Sequence, residues 1–380
     1  MPMRFLHTAD WQIGMKAAHV GQVGERVRQE RLEAGKRVIQ AAHDHGAEFI
    51  VVAGDTFEDN AVDRVLVQRV ADILAAFRGP VYIIAGNHDP LAPGSVWEHR
   101  AWNSHSNLHI LRETQPLPVA GGWLYPSPLK EKHSTQDPTL WVQAHDRDEI
   151  CLGLAHGTVQ GIAQDELDYP IARDAATRGG LDYLAIGHWH STAHYPGAPH
   201  PTRMAYSGTH ETTKFGERDS GNVLLVEIAT RGAPPSLTSI RTGGLTWLQP
   251  EPSETEIREI QDIERLVTRL ETLPAPERTL VDLRLSGILP SGAQPALQRL
   301  RELAAARCCY YRINDDGLLP SPHDETWIEA LPAGVLRETA LRLRSLADPT
   351  NVTLREPQQA PPVAARALLE LYRYWQESAS

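Results

Sequence analysis

The chain has 380 residues, of which 41% are hydrophobic, so it can form one large domain with additions or two smaller domains. No apolar stretch approaches the roughly 18–20 residues of a membrane-spanning helix, and no membrane partner is expected. The formal net charge of −11 excludes a protein that binds nucleic acid chiefly through a broad basic surface. Three cysteines make no disulfide framework, and the first residues lack the pattern of a secretion signal, so we expect a cytoplasmic location.

Short apolar runs alternate with amphipathic stretches in the first part of the chain. Strands are predicted at residues 4–6, 49–53, 81–85, 150–155, 183–186, 204–207 and 222–228, and helices at residues 25–45 and 61–77. This alternation predicts an α/β domain with largely parallel strands. Pro-rich stretches follow, and we expect this domain to occupy residues 1–250.

The rest of the chain predicts a smaller domain and a helical tail. Residues 255–325 favour an α+β unit, with helices at 256–273 and 293–306 and strands at 279–285 and 308–313. A C-terminal region, residues 333–380, contains helices at 333–347 and 362–376. These two helices have wide apolar faces, which either pack on the body of the protein or dock a partner.

Five motifs with polar side chains each follow an apolar run. They are Asp10-Trp11-Gln12, Gly54-Asp55, Gly86-Asn87-His88-Asp89, His156-Gly157 and Gly187-His188-Trp189-His190. Because ligand sites in open α/β sheets gather beyond the carboxyl ends of the strands, the five loops are expected to converge. Their carboxylates, amides and imidazoles are the groups that a two-metal phosphoesterase needs.

The predicted chemistry assigns each side chain to a metal. Two metals about 3.5–4 Å apart can share a bridging carboxylate and a bridging hydroxide, which acts as the nucleophile. Asp55 is the predicted bridging ligand because the preceding glycine lets the backbone turn sharply. The predicted ligands of one metal are Asp10, Gln12 and His190, and those of the other are Asn87, His156 and His188. The mixed set suits Mn²⁺, Fe²⁺ or Zn²⁺, and its oxygen ligands favour Mn²⁺.

Two further residues of the third motif have predicted catalytic roles. His88 adjoins a ligand but points elsewhere, and its imidazole could donate a proton to the leaving oxygen or stabilise the developing charge. Asp89 is suited either to orient that imidazole or to tie down the loop.

These motifs resemble those of the calcineurin-like metallophosphoesterase superfamily and, more narrowly, of the bacterial SbcD-type DNA repair exonucleases. The similar segments are residues 4–11, 54–57, 86–89, 156–157 and 187–190, together with residues 206–209 and 215–217. The resemblance covers about residues 3–230 strongly. Beyond them it rests on the layout of a small domain followed by C-terminal helices.

The resemblance implies a fold, an activity and partners. The fold is a four-layer α/β/β/α sandwich with a small α+β capping domain and C-terminal helices. The activity is hydrolysis of DNA phosphodiester bonds, as a 3′→5′ exonuclease and a single-strand endonuclease, with two Mn²⁺ ions. The capping domain helps to position DNA, the C-terminal helices bind a coiled-coil ABC-type ATPase of the SbcC class, and the nuclease forms a homodimer. The resemblance also implies that His88 is the catalytic histidine. The metal ligands it implies are Asp10, Asp55, Asn87, His156, His188 and His190.

One departure from the family pattern is Gln12, which stands where the first motif normally has a histidine. An amide binds a divalent metal more weakly than an imidazole, so the metal served by Asp10 is expected to have lower occupancy. Two other functions therefore stay open. The chain is either another enzyme of the superfamily, such as a cyclic-nucleotide phosphodiesterase or a protein phosphatase, or a weakly catalytic scaffold.

Overall fold

The structure, a computed structural model, describes residues 1–161, 168–195, 202–320, 326–348 and 361–379. The chain divides into two compact units, Met1–Thr246 and Trp247–Ser380, each with its own hydrophobic core. Within the described ranges, no helix is both long and apolar enough to cross a membrane.

The first unit contains the strands and helices that carry the five motifs. In chain order its elements are β1 (Met3–Thr8), α1 (Gly24–Asp44), β2 (Phe49–Ala53), α2 (Arg64–Ala75), β3 (Val81–Ile84), β4 (Leu108–Ile110), β5 (Leu117–Val119), β6 (Gly122–Pro126), β7 (Ile150–His156), α3 (Ala175–Arg178), β8 (Tyr183–Gly187), β9 (Ala193–Tyr195), β10 (Met204–Tyr206), β11 (Asn222–Ile228) and β12 (Ser236–Arg241). The seven strands predicted for this region are all present.

These strands form two six-stranded sheets, with the orders β12-β11-β1-β2-β3-β4 and β5-β6-β7-β8-β10-β9. The strands from β1 to β4 run parallel in the first sheet, and β11 is antiparallel to both of its neighbours, β1 and β12. In the second sheet β6, β7, β8 and β10 run parallel, with antiparallel edge strands β5 and β9. The predicted α/β class with largely parallel strands is confirmed.

Alternation along β2 shows how the layers stack. Phe49 and Val51 belong to the core between the two sheets, whereas Ile50 and Val52 belong to the core that packs α1 and α2 on the first sheet. Successive side chains of a strand point to opposite faces, so an uninterrupted apolar run is the signature of a strand covered on both sides. A third core, which includes Ala175 of α3, covers the outer face of the second sheet. The result is the expected four-layer α/β/β/α sandwich.

The start of α2 differs from the sequence-based expectation. The helix was expected from residue 61, but it begins at Arg64 because the Asp63 side chain caps it, accepting a hydrogen bond from the Val65 N–H at 2.8 Å. Side-chain oxygens at this position satisfy an N–H that has no partner within the helix.

The second unit contains β13 (Thr246–Leu248), which begins at the boundary, β14 (Glu256–Ile257), α4 (Ile260–Glu271), β15 (Thr279–Leu289), α5 (Gln294–Arg307), β16 (Tyr310–Pro320), α6 (Thr326–Ala330), α7 (Val335–Ala347) and α8 (Pro361–Ala379). The expected helix from residue 256 is wrong at its start. Residues 256–257 pair with β15 as a strand, and a capping box of Glu259 and Asp262 sets the beginning of α4. Trp327, Leu331, Ala340 and Tyr372 form a small core that joins α6, α7 and α8.

Candidate metal centre

The loops after β1 and β2 are locked together. The backbone N–H groups of Asp10 and Gln12 donate to the carbonyls of Gly54 and Asp55 at 3.1 and 3.0 Å. Asp10, Gln12 and Asp55 have φ values of 53°, 48° and 49°, a left-handed conformation that costs non-glycine residues free energy. Such strain persists where surrounding contacts impose it, and it is concentrated at functional sites.

Two glycines allow the strand ends to approach each other. A Cβ at Gly54 would lie 2.4 Å from Nδ1 of His156, and a Cβ at Gly86 would lie 2.1 Å from Oδ1 of Asp55. Gly54 also has a φ of +86°, which glycine adopts without penalty. Because both residues are glycines, the ends of β2, β3 and β7 can pack closely enough for their side chains to share one metal site.

Four predicted ligands face one point. Ligand atoms of Asp55, His156 and His188 all lie within 4.8 Å of one another. The Oδ1 atom of Asn87 is 2.9 Å from Nε2 of His156 and 3.2 Å from Nδ1 of His188. This arrangement brings together the bridging ligand and the whole predicted ligand set of one metal. A carboxylate, an amide oxygen and two imidazoles are a donor set that fits a divalent metal.

The three predicted ligands of the other metal lie beside that group. Asp10 is fully buried, and its carboxylate oxygens accept the backbone N–H of His188 at 3.0 and 3.1 Å. Gln12 donates from its amide Nε2 to Oδ2 of Asp55 at 3.1 Å, so its oxygen is the atom available to a metal. His190 lines the same cleft as Gln12 and Asp55.

Burial and close charges shift the pKa values of this cluster. Burial opposes ionisation of Asp55, but His156 and His88 hold its pKa well below the ordinary value. Burial also opposes the charged form of His156, yet Asp55 raises the pKa of His156 to about 9. Burial raises the pKa of Asp10 to about 6, and burial with the charge of His156 lowers the pKa of His188 to about 4. Buried titratable groups whose pKa values are shifted by charged neighbours are typical of functional sites.

His88 and Asp89 have different roles in the third motif. The Nε2 atom of His88 is 4.0 Å from Oδ2 of Asp55, and Nδ1 is 2.9 Å from the Glu58 carbonyl, which orients the ring. The predicted catalytic role of Asp89 needs correction, because its carboxylate does not orient His88. Asp89 is fully buried and accepts the backbone N–H groups of Gly86 and Phe57 at 2.8 and 2.9 Å. Asp89 therefore ties down the loop, which is the other of its two predicted roles.

Four of the predicted ligands, Gln12, Asp55, His188 and His190, line a cleft of about 860 Å³. The cleft is lined by ligands and His88 together with lysines and aromatic side chains, among them Lys16, Lys214, Trp189 and Phe215. A larger surface cleft of about 1070 Å³ lies along α2 and residues 94–100, and none of the predicted ligands lines it. The chemistry therefore belongs to the smaller cleft.

Two residues that support the ligands were missed in the sequence. Glu217 binds Nδ1 of His190 at 2.7 Å, and Arg31 of α1 donates to the backbone carbonyls of Asp10 and Trp11. Glu217 lies in the segment 215–217 that carries part of the family resemblance, which was the one available signal. Arg31 lies at an ordinary helix position, and its role depends on contacts up to 180 residues away in the chain.

A buried carboxylate, an amide and imidazoles at the ends of strands in a double-sheet sandwich define a metal-dependent phosphoesterase. A family model described as calcineurin-like phosphoesterase matches residues 3–192. The chain belongs to this family, whose members depend on divalent metals and hydrolyse phosphoester bonds.

The chain is also similar to the uncharacterized metallophosphoesterase YhaO of Bacillus subtilis (strain 168). The two are 22% identical over 240 residues, which cover 60% of this chain and 57% of YhaO. The chain thus spans little more than half the length of this curated relative. Among solved structures, TT1561 of Thermus thermophilus matches with a TM-score of 0.43 and 14% identity, covering 64% of this chain and 100% of that one. The calcineurin-like phosphoesterase YfkN from Bacillus subtilis matches with a TM-score of 0.34 and 12% identity, covering 63% and 88%.

Proposed function

We propose that the chain is a metal-dependent DNA nuclease of the SbcD type, acting as a 3′→5′ exonuclease and a single-strand endonuclease. The observation that carries this proposal is the convergence of Asp55, Asn87, His156 and His188 on one point, where Asp55 and His188 also line an open cleft. The resemblance of residues 4–11 and 215–217 to those nucleases supports the choice within the family.

Two divalent metals, which we propose to be Mn²⁺, would generate the nucleophile and neutralise the phosphodiester when bound. Asp55, Asn87, His156 and His188 would hold one metal, and Asp10, Gln12, His190 and the shared Asp55 would hold the other. Ionised Asp55 and neutral His188, whose pKa values are lowered, are in the protonation states that bind metals, whereas His156, whose pKa Asp55 raises to about 9, would have to release a proton on metal binding.

His88 is the proposed proton donor to the leaving oxygen. The Glu58 carbonyl accepts a hydrogen bond from Nδ1 at 2.9 Å, so Nε2 is the atom directed to the cleft, and the imidazolium form of His88 carries on Nε2 the proton that would pass to the leaving oxygen. About a third of the side chain, 36%, is exposed, which leaves it accessible to a substrate. A positioned general acid of this kind contributes roughly 10²–10⁴-fold to a reaction rate.

The lining of the cleft supports a nucleic acid substrate. Exposed Lys16 and Lys214 can bind phosphates that flank the scissile bond, and Trp189 and Phe215 offer aromatic surface for an unpaired base. With a net charge of −11, the protein needs such local cations to bind DNA. That charge also favours a second candidate, a phosphodiesterase that acts on small esters.

Competition distinguishes the two candidates. Hydrolysis of a chromogenic phosphodiester is measured in Mn²⁺ while short single-stranded DNA is added, and the Lys16→Ala/Lys214→Ala variant serves as the comparison. A DNA nuclease should be inhibited by the oligonucleotide at micromolar concentrations, and the double variant should need much more of it. Hydrolysis that is indifferent to DNA would favour the small-ester enzyme.

We further propose that α7 and α8 dock a coiled-coil ABC-type ATPase, and that the nuclease works as a cytoplasmic homodimer. The inner faces of these helices pack together, but Val335, Leu336, Val363 and Tyr374 remain 79%, 50%, 66% and 60% exposed. The Val335→Glu/Leu336→Glu variant should lose binding to such an ATPase in a pull-down, whereas Arg342→Ala, also on the surface of α7, should keep it. Equal capture of both variants would contradict this assignment.

A further inference from the structure

We propose that Glu217 is a positioning residue for His190 and that it offsets the weak amide ligand Gln12. The inference rests on the metal site of the proposed function and is independent of the substrate. It concerns the metal that Asp10, Gln12 and His190 would hold with Asp55.

The Glu217 carboxylate is held in one orientation. Its side chain is 5% exposed, and Oε1 accepts a hydrogen bond from Nδ1 of His190 at 2.7 Å. The Thr213 hydroxyl donates to the same oxygen, and the Thr213 backbone N–H donates to Oε2 at 2.8 Å. Both carboxylate oxygens of Glu217 therefore accept hydrogen bonds from Thr213, and one of them also accepts the hydrogen bond from His190.

This contact decides which nitrogen of His190 can bind a metal. Since Nδ1 donates its hydrogen to Glu217, the proton is on Nδ1 and the lone pair is on Nε2. His190 lines the cleft with Gln12 and Asp55, so Nε2 is the atom presented to the metal site. A partner on the far side of the ring fixes both the tautomer and the direction of a histidine ligand.

Among the residues that the structure describes, no carboxylate accepts a hydrogen bond from Nδ1 of the other two predicted histidine ligands. Nδ1 of His156 contacts the neutral carbonyl of Ala53 at 2.8 Å, and Nδ1 of His188 faces Asn87 on the ligand side. A carboxylate that accepts the Nδ1 hydrogen makes Nε2 a stronger donor than a carbonyl does. The strengthened histidine thus belongs to the same metal as the weak ligand Gln12.

The test is a cycle of variants read out by metal binding. Mn²⁺ is titrated calorimetrically into the metal-free full chain as wild type, Glu217→Gln, Gln12→His and the double variant. Glu217→Gln should weaken the weaker of two Mn²⁺ sites by about 10–100-fold and leave the tighter site unchanged. In the Gln12→His background the same substitution should cost at least fivefold less, because an imidazole has replaced the amide.

Glu211→Gln is the matched control. Glu211 is also a buried acid on the same segment, but its carboxylate binds the backbone N–H groups of Thr212, Gly244 and Leu245 and touches none of the ligand histidines. This variant should lose stability and keep both Mn²⁺ affinities. Equal weakening of the two sites in Glu217→Gln, additive effects in the cycle, or a matching loss of Mn²⁺ affinity in Glu211→Gln would overturn the inference.

A spectroscopic readout covers the case in which Glu217→Gln does not fold. In ¹⁵N NMR spectra of the metal-free protein, recorded at a pH high enough for His190 to be neutral, the ring should be the Nδ1–H tautomer in the wild type and in Glu217→Asp. An Nε2–H tautomer in the wild type would contradict the inference. A wild-type chain that binds no Mn²⁺ would contradict the metal site itself, whereas Mn²⁺ binding that is indifferent to Glu217 would contradict this inference alone.

Discussion

Arg31 should be among the residues on which both the stability of the first unit and its metal site depend most. It is 1% exposed and donates to the Trp11 carbonyl at 2.9 Å, the Glu211 carbonyl at 2.6 Å, the Asp10 carbonyl at 3.3 Å and the Thr209 hydroxyl at 3.1 Å. These bonds cross from α1 to the loop after β1 and to the segment before β11. They also fix the carbonyls of a loop whose Asp10 and Gln12 have strained φ values.

The stability that Arg31 contributes can be estimated from the number of oxygens that accept its hydrogen bonds. A hydrogen bond to a charged group contributes about 1.5–3 kcal/mol, and removing the donor leaves buried oxygens without a partner. Desolvation of the guanidinium opposes this gain, and it also lowers the pKa of Arg31 to about 10. We therefore expect Arg31→Met to lower the free energy of unfolding by about 3–5 kcal/mol, a large part of a typical total of about 5–15 kcal/mol.

Urea denaturation of the metal-free protein, followed by tryptophan fluorescence, measures this loss. Arg31→Lys should keep the charge but recover only part of the stability, since one ammonium cannot reach all four acceptors. Lys36→Met is the control on the same helix, because Lys36 is 59% exposed and pairs with exposed Glu33, so the change should stay within about 0.5 kcal/mol. A loss below about 1 kcal/mol for Arg31→Met, or equal losses in both helix variants, would contradict this role of Arg31.

Three further predictions test the site and the core. Gln12→His should raise the affinity of the weaker Mn²⁺ site, measured by titration, and an unchanged titration would put Gln12 outside the ligand set. Gly86→Ala should abolish Mn²⁺ binding because the added Cβ would lie 2.1 Å from Oδ1 of Asp55, whereas Gly94→Ala, with nothing within 4 Å, should keep it. Buried His7, whose pKa burial lowers from 6.5 to about 3, binds a proton more readily in the unfolded chain, so its contribution to stability is present above pH 6.5 and is lost as the pH falls towards 3. Between pH 7 and pH 5 this loss is about 2 kcal/mol. The melting temperature of His7→Asn should therefore fall less than that of the wild type when the pH is lowered from 7 to 5.

Much of the fold could be predicted because buried parallel strands leave continuous apolar runs in the sequence. Residues 49–53 and 150–155 are such runs, and both are strands in the structure. The edge strands β5, β9 and β12 were missed because they are only partly buried and contain no such run. Helix starts were misplaced where a side chain decides the boundary, as Asp63 does at α2.

The convergence of the predicted ligands could be foreseen because each lies at or just beyond the end of a strand, and parallel strands end at the same edge of a sheet. The residues that support the predicted ligands could not be predicted from the sequence. Glu217 reaches His190 from 27 positions away, and Arg31 reaches Thr209 from 178. The role of Asp89 could not be read from the sequence for another reason. Its carboxylate is next to His88 in the chain, but it accepts backbone N–H groups and does not contact the His88 imidazole.

The proposed function requires that this metal site cleaves DNA with His88 as proton donor. The most direct measurement is Mn²⁺-dependent cleavage of end-labelled linear duplex and single-stranded DNA by the purified chain and its His88→Ala variant, with bound Mn²⁺ quantified in both. We expect the wild type to cleave, and the variant to lose about 10²–10⁴-fold in rate while binding the same amount of Mn²⁺. Cleavage that is unaffected in His88→Ala, or a wild type that binds Mn²⁺ and leaves both DNA substrates intact, would contradict the claim.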